Sequence, residues 1–362
     1  MSAALDLLVL RLTDRCNLRC SYCYAEGGAQ GADLPRELAL SAVERFCAPG
    51  EALRVQFTGG EPLLRWDTAL EVLAFGAATG RTLQASLQTN ATLLTPEICG
   101  QLKRYRVSVG VSLDGVGEDD GERLRPDGAG SFQETTAGLR TLAEAGMGAN
   151  LTAVVTARSV SGLARLPDFA LWCGNVHGIG LDLLREQGRA AGRGLAPGPQ
   201  ALEAGLRALL ARHDLLERLG RPVRLKELER LRLMLRTGKR RACYCHAQTG
   251  RSLAVAPDGS LWPCSALVGA AGCRLGSLEE GAPPPGPCPG LAPPQACAAC
   301  PAFGLCGGGC PAGGPAAGPG SNHCLMHRIF CEHALGGSAG PAGDALTPLE
   351  ETIHAENQEE SE

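Results

Sequence analysis

Residues 16–23 read Cys16-Asn17-Leu18-Arg19-Cys20-Ser21-Tyr22-Cys23, directly after an apolar run, 7–12, that reads as a β-strand. Three thiols on one loop, at spacings of four and three, can hold three irons of a cubane cluster. The loop offers no fourth thiolate, so one iron is left for another ligand. An incomplete coordination shell suits a catalytic metal, whereas a structural site closes its shell. A zinc knuckle or a chance cluster is the bland alternative, and the rest of the chain has to decide.

The 362 residues allow one large domain and a smaller one, and 44% hydrophobic residues allow a sizeable core. A net charge of −4 gives no global basic signature for nucleic acid. No apolar run approaches the ~20 residues that span a bilayer. The run at 5–10 is short and has no basic residue before it, so no signal peptide is expected and the chain reads as cytoplasmic. The 17 cysteines are the anomaly; in a cytosolic chain they favour metal over disulfides, and an odd number fits no complete disulfide framework.

Around the cysteine loop, short apolar runs alternate with amphipathic stretches. Strands are expected at 7–12, 53–57, 82–89, 107–113, 150–156 and 179–184, with helices at 35–46, 67–80, 95–105, 131–145 and 162–172. Strands joined by helical crossovers must be parallel, so the fold class is α/β with a curved parallel sheet, open or partly closed. Ligands gather at the carboxyl ends of such strands, where the cysteine loop lies. The other strand ends carry Thr58-Gly59-Gly60-Glu61-Pro62, Gln88-Thr89-Asn90-Ala91-Thr92 and Ser112-Leu113-Asp114-Gly115. Asp120 and Arg123 follow, with a solvated loop pair as their bland reading.

Beyond the strands, 199–219 and 225–237 read as two basic helices. Either they present a solvated face near anionic clusters or they dock an acidic peptide. Next come Cys245, Gly259 and Cys264, with a hairpin turn signal at Pro257-Asp258-Gly259. The array Cys297-x2-Cys300-x5-Cys306-x3-Cys310 follows, then Cys324. With 17 cysteines in 362 residues, four at these fixed offsets arise by chance only about 0.002 times. A zinc ribbon built on the same thiolates is the competing reading. Cys47, Cys99, Cys173, Cys273, Cys288 and Cys331 are read as buried apolar residues or surface thiols, although Cys331 can stand in for Cys324. Residues 281–294 and 311–320 read as Pro/Gly-rich loops and 336–362 as a disordered acidic tail.

The first loop resembles the CxxxCxxC loop of the radical SAM enzymes, Tyr22 included, and the later array resembles their C-terminal SPASM domain. The resemblance spans nearly the whole folded chain. It implies a partial (β/α)6 barrel over 1–190, a helical bridge over 191–242, a SPASM auxiliary-cluster domain over 243–335 and a tail over 336–362. It implies three 4Fe–4S clusters and S-adenosylmethionine. Cys16, Cys20 and Cys23 would hold the cluster that binds S-adenosylmethionine. Gly59, Gly60 and Glu61 would match the motif that binds its ammonium. Tyr22, Asn90, Ser112 and Arg123 are further candidate contacts, with Arg125 open as the carboxylate partner instead of Arg123. Cys297, Cys300, Cys306 and Cys324 would ligate the outer auxiliary cluster. Cys245, Cys264 and Cys310 would ligate the inner one, with Cys243 as candidate fourth ligand. The family reaction is reductive cleavage of S-adenosylmethionine to a 5′-deoxyadenosyl radical that abstracts hydrogen from substrate.

Two enzyme groups fit within the family. Peptide maturases install thioether or carbon–carbon links in ribosomally made precursor peptides. Anaerobic sulfatase-maturing enzymes make formylglycine and carry an aspartate just after the cysteine matching Cys264. Ser265 stands there in this chain, which favours a peptide maturase. A multi-cluster electron carrier is a distant third reading. About fifteen residues precede Cys16. A precursor peptide is therefore expected to use a separate recognition protein or to bind the barrel and bridge directly. A flavodoxin- or ferredoxin-type donor is the implied electron source. No catalytic acid or base is assigned.

Overall fold

The first strand, β1 (Leu7–Thr13), buries Leu8, Leu10 and Leu12 on one face and Val9 on the other. Burial on both faces is what a parallel strand inside an α/β layer requires. The computed structural model describes residues 5–280, 288, 290–313 and 318–336. After β1 come α1 (Arg36–Phe46), β2 (Ala52–Gly59), α2 (Trp66–Ala78), β3 (Thr82–Thr89) and α3 (Pro96–Arg104). Then follow β4 (Ser108–Ser112), α4 (Phe132–Glu144), β5 (Ala149–Val155), α5 (Leu166–Cys173) and β6 (Val176–Leu183). The six strands pair in sequence order, all parallel, as a chain of strand–helix units must.

Local chemistry sets several boundaries. Thr95 caps α3 by accepting from the Ile98 N–H at 3.2 Å, and Pro96 occupies its first turn. The helix expected at 162–172 divides into a 3₁₀ turn, Val160–Arg165, and α5. Pro167 explains the break: without an N–H it fits the first turn of an α-helix, not its interior. Gly174 then ends α5 with a left-handed φ of 73°.

The sheet does not stop at six strands. It continues through α6 (Pro199–Arg218), β7 (Arg224–Leu225) and α7 (Lys226–Thr237) at one edge, because β7 pairs with β6. At the other edge β8 (Ser252–Val255) pairs parallel with β1, then β9 (Ser260–Trp262) and β10 (Gly276–Ser277) follow antiparallel. The order is β10-β9-β8-β1-β2-β3-β4-β5-β6-β7. The expected hairpin at Pro257-Asp258-Gly259 thus also covers the open edge of β1, whose backbone groups would otherwise lack partners. One hydrogen-bonded sheet therefore crosses the expected boundaries at 190 and 242. The short helix α8 (Phe303–Cys306) and the last one, α9 (Asn322–Ala334), complete the described elements. α9 packs on α6 and α7. Its Met326 and Phe330 share one core with Leu8, Phe57, Val111 and Leu253. Among the described residues no helix is long and apolar enough to cross a membrane. Residues 281–287, 289 and 314–317 of the two expected loops, and 337–362 of the expected tail, lie outside the described residues.

Gly138 on α4 shows how closely the helices approach the strand ends. A Cβ there would overlap the Ala91 carbonyl oxygen, and Ala91 is itself held at a left-handed φ of 64°. Gly138→Ala is expected to cost about 1–3 kcal/mol by overpacking. A urea titration should show a lower midpoint at unchanged slope.

Candidate active site

The carboxyl ends of β1 to β6 enclose a cavity of about 460 Å³. Cys16, Cys20, Tyr22 and Cys23 form one wall, and Gly59, Gly60, Asn90, Ser112 and Arg123 line the strand ends. Cys264 and Ser265, from the loop after β9, lie on the same cavity. Of the residues expected to contact the cofactor, only Glu61 does not line it.

The cysteine loop is held from several sides. The Cys16 N–H donates to the Gly28 carbonyl at 2.6 Å, and the Leu18 N–H donates to the Cys16 sulfur at 3.3 Å. Asn90 donates through Nδ2 to Asn17 at 2.9 Å and to the Cys16 sulfur at 3.9 Å. Arg189 straps the loop by donating to the Cys20 and Gly27 carbonyls, both at 2.9 Å. Burial pushes the Cys16 thiol up to about 12 and the Cys20 thiol up to about 11. Without a metal these thiols stay protonated, so binding one must release protons.

Glu61 has a different place from the one its motif suggests. It is fully buried, and its carboxylate accepts from the Leu63 N–H at 3.1 Å, the Thr89 hydroxyl at 2.7 Å and the Asn90 N–H at 2.8 Å. Burial raises its pKa and these three donors oppose the rise. The side chain ties the end of β2 to the end of β3. The backbone of Gly59 and Gly60, not the carboxylate, faces the cavity.

Arg123 and Asp120 are buried, at 6% and 1% exposure, so the solvated-pair reading is wrong. Arg123 donates to the Tyr22 hydroxyl at 2.9 Å, and Tyr22 in turn donates to Asp114. Asp114 also accepts from the Val154 N–H at 2.9 Å, and Asp120 accepts from the Asp114 N–H at 2.8 Å. Asp114, unassigned from sequence, is the hub of this cluster; its signal was only its place in the segment after β4. The Nε of Arg123 is buried with no partner in the protein. An unsatisfied guanidinium N–H on a cavity wall fits a carboxylate-bearing ligand. Arg125 is half-exposed and paired with Asp127 and Glu134, away from the cavity lining. Ser112 accepts from Gln88 at 2.9 Å, which fixes its hydroxyl on the wall.

The later cysteines form two further groups. Cys297, Cys300, Cys306 and Cys324 surround a mostly apolar cavity of about 230 Å³, and Cys331 does not line it. Cys331 is instead 1% exposed in the main core. Cys245, Cys264 and Cys310 lie within electrostatic reach of one another, with Cys243 beside Cys245. Among the described residues, which include every cysteine, no three cysteine sulfurs lie within 4.8 Å of one another. Tetrahedral zinc draws its sulfurs to about 3.8 Å. A cubane spreads its thiolates over different irons, and an all-thiolate donor set fits iron–sulfur clusters.

Residues 10–158 match the family described as the radical SAM superfamily. An uncharacterized protein of Methanocaldococcus jannaschii, MJ0907, is 29% identical over 276 residues, 75% of this chain and 88% of that protein. The AdoMet-dependent heme synthase of Methanosarcina barkeri is 30% identical over 179 residues, 49% of this chain and 50% of that one. Among solved structures, native anSMEcpe with bound AdoMet and Cp18Cys peptide aligns at TM-score 0.77 and 21% identity, covering 98% of this chain and 99% of that chain. Streptococcus suis SuiB bound to precursor peptide SuiA aligns at TM-score 0.54 and 16% identity, covering 76% and 63%. At such identities the two structures speak for the fold. Residues 10–158 thus carry a radical SAM domain, and the chain shares the fold of these solved structures. That domain implies a 4Fe–4S cluster and S-adenosylmethionine.

Burial, and then the neighbouring Asp114, push the Asp120 carboxyl up to about 7. Folded chains thus hold a proton that unfolded chains release from about pH 4 upward. Stability from this group is complete below pH 4, falls as pH rises and is lost above pH 7. Asp120→Asn, which keeps the acceptor for the Asp114 N–H, should flatten the slope of urea midpoint against pH across that window.

Proposed function

We propose that this radical SAM enzyme is a peptide maturase that forms an intramolecular thioether or carbon–carbon link in a ribosomally made precursor peptide. One observation carries the reading: Cys16, Cys20 and Cys23 on one side and Cys264 on another line the same cavity. A substrate in that cavity lies between two sets of thiols. The fold of SuiB, a protein solved with its precursor peptide, supports a peptide as the occupant.

Cys16, Cys20 and Cys23 would hold the first cluster and leave one iron for S-adenosylmethionine. When bound, that cluster supplies an electron and S-adenosylmethionine supplies the hydrogen-abstracting group. The chain's own residues position and shield. Backbone groups of Gly59 and Gly60 would receive the ammonium, while Glu61 fixes their loop. Arg123, steadied by Tyr22, would receive the carboxylate through its unpartnered Nε, with the Ser112 hydroxyl and Asn90 beside it. Leu18, Val154 and Leu183 supply apolar wall, which keeps water from the reacting groups. Cys297, Cys300, Cys306 and Cys324 would hold an outer auxiliary cluster. Cys243, Cys245, Cys264 and Cys310 would hold an inner one, placed to take an electron from the product side. That makes three clusters. A flavodoxin- or ferredoxin-type donor and a separate peptide-recognition protein complete the set of partners.

Anaerobically reconstituted protein with S-adenosylmethionine and dithionite should release 5′-deoxyadenosine. Cys16→Ala, Cys20→Ala or Cys23→Ala should each lower that release at least a hundredfold; an electron carrier would release none in any form. Cys243→Ala should remove the inner cluster's EPR signal and lower the iron count, as expected of a relay that supports a carbon–carbon link. An unchanged inner cluster would instead leave an iron open to a substrate thiolate and favour a thioether.

A further inference from the structure

A second cavity, of about 230 Å³, opens beside the reaction cavity. The two share Thr152, Asp182 and Lys226, so a ligand can occupy both. Lys226, Arg230 and Arg241 line this side cavity, and among the described residues none of the three has a carboxylate within ion-pair distance. Arg241 donates to the backbone carbonyls of Tyr244 and Cys306, and the Arg230 side chain makes no hydrogen bond among the described residues. Two acidic residues line the same space. Asp182 is neutralised by Arg185 through paired bonds of 2.9 Å. Glu227 accepts from the Leu181 N–H at 3.3 Å, and its other oxygen is buried with no partner. His327, 9% exposed and with a buried, unpartnered Nε2, lines both this cavity and the one among Cys297, Cys300, Cys306 and Cys324. Three cations against one unneutralised carboxylate leave a positive excess, with Arg241 half-buried and Lys226 and Arg230 reaching the exposed rim. A donor set of this kind suits a carboxylate, which guanidinium groups grip through paired hydrogen bonds.

We infer that this side cavity is a carboxylate subsite: Lys226, Arg230 and Arg241 anchor an acidic group of the substrate and so place a neighbouring residue in the reaction cavity. The inference rests on the reading of the larger cavity as the place where a peptide reacts. The same carboxylate chemistry has two sources in a peptide, an acidic side chain or the C-terminus. A glutamate side chain next to the modified residue is the simpler fit, because it lets the peptide run on in both directions.

The test measures binding of three small probes to the reconstituted full chain by saturation-transfer NMR. N-acetyl-glutamate amide presents a side-chain carboxylate, N-acetyl-glutamine amide its neutral isostere and N-acetyl-glycine a C-terminal carboxylate. The glutamate probe should bind at least tenfold more tightly than the glutamine probe. Arg230→Gln, which breaks no side-chain hydrogen bond or ion pair among the described residues, should erase that preference, and Arg241→Gln should do the same. Tight binding of N-acetyl-glycine alone would assign the subsite to a C-terminus. Equal binding of all three, or a preference that survives both substitutions, would overturn the inference and leave the cations as counter-charge for the thiol clusters. If the same protein prefers the glutamate probe but releases no 5′-deoxyadenosine, the functional reading fails while the subsite stands.

Discussion

Everything at the site depends on how closely two stretches of backbone approach each other. The Gly60 N–H donates to the Thr13 carbonyl at 2.7 Å, and the Glu61 N–H donates to the Arg15 carbonyl at 2.8 Å. A Cβ on Gly59 would overlap the Thr13 carbonyl oxygen, and one on Gly60 the Arg15 carbonyl oxygen. Only glycine permits this approach, and at Gly59 it is also the residue suited to a φ of 143°. The contact fixes the start of the cysteine loop against the end of β2. Glu61 then passes the constraint on to β3 through Thr89 and Asn90, and Asn90 returns it to Asn17 and Cys16. The glycines and the cysteines are thus one mechanical unit.

A second constraint is electrostatic. Arg123 is a buried cation that meets Tyr22 directly and has Asp114, Asp120 and Cys20 around it. Such a charge is tolerated only if its surroundings are arranged to receive it. The arrangement links the cysteine loop, through Tyr22, to the segment after β4, through Asp114, and to β5, through the Val154 N–H. The loop that would carry the metal and the group that would receive a ligand's carboxylate therefore cannot move independently.

The C-terminal cysteines reach this cavity through sheet topology. β8 pairs with β1, so the turn after β9 lies over the strand ends and brings Cys264 and Ser265 to the wall. At the far side α7, following β7 at the β6 edge, brings Lys226 and Arg230 to the smaller cavity. The two edges of one sheet thus frame the reaction space, which explains why a barrel of six units alone would leave it open.

Sequence by itself determined the elements whose information is local. The six strands, the crossovers and the cysteine loop were legible because apolar period and thiol spacing act over a few residues. That Arg123 lines the cavity while Arg125 lies away from it, and that Cys331 is buried in the main core, was not. The inward turn of Glu61, the hub role of Asp114 and the pairing of β8 with β1 were also closed to sequence. Each depends on which distant segment excludes water from a side chain or supplies its hydrogen-bond partner. Tertiary structure decided these, because the cost of burying a charge or leaving a donor unmatched exists only once remote parts of the chain have come together.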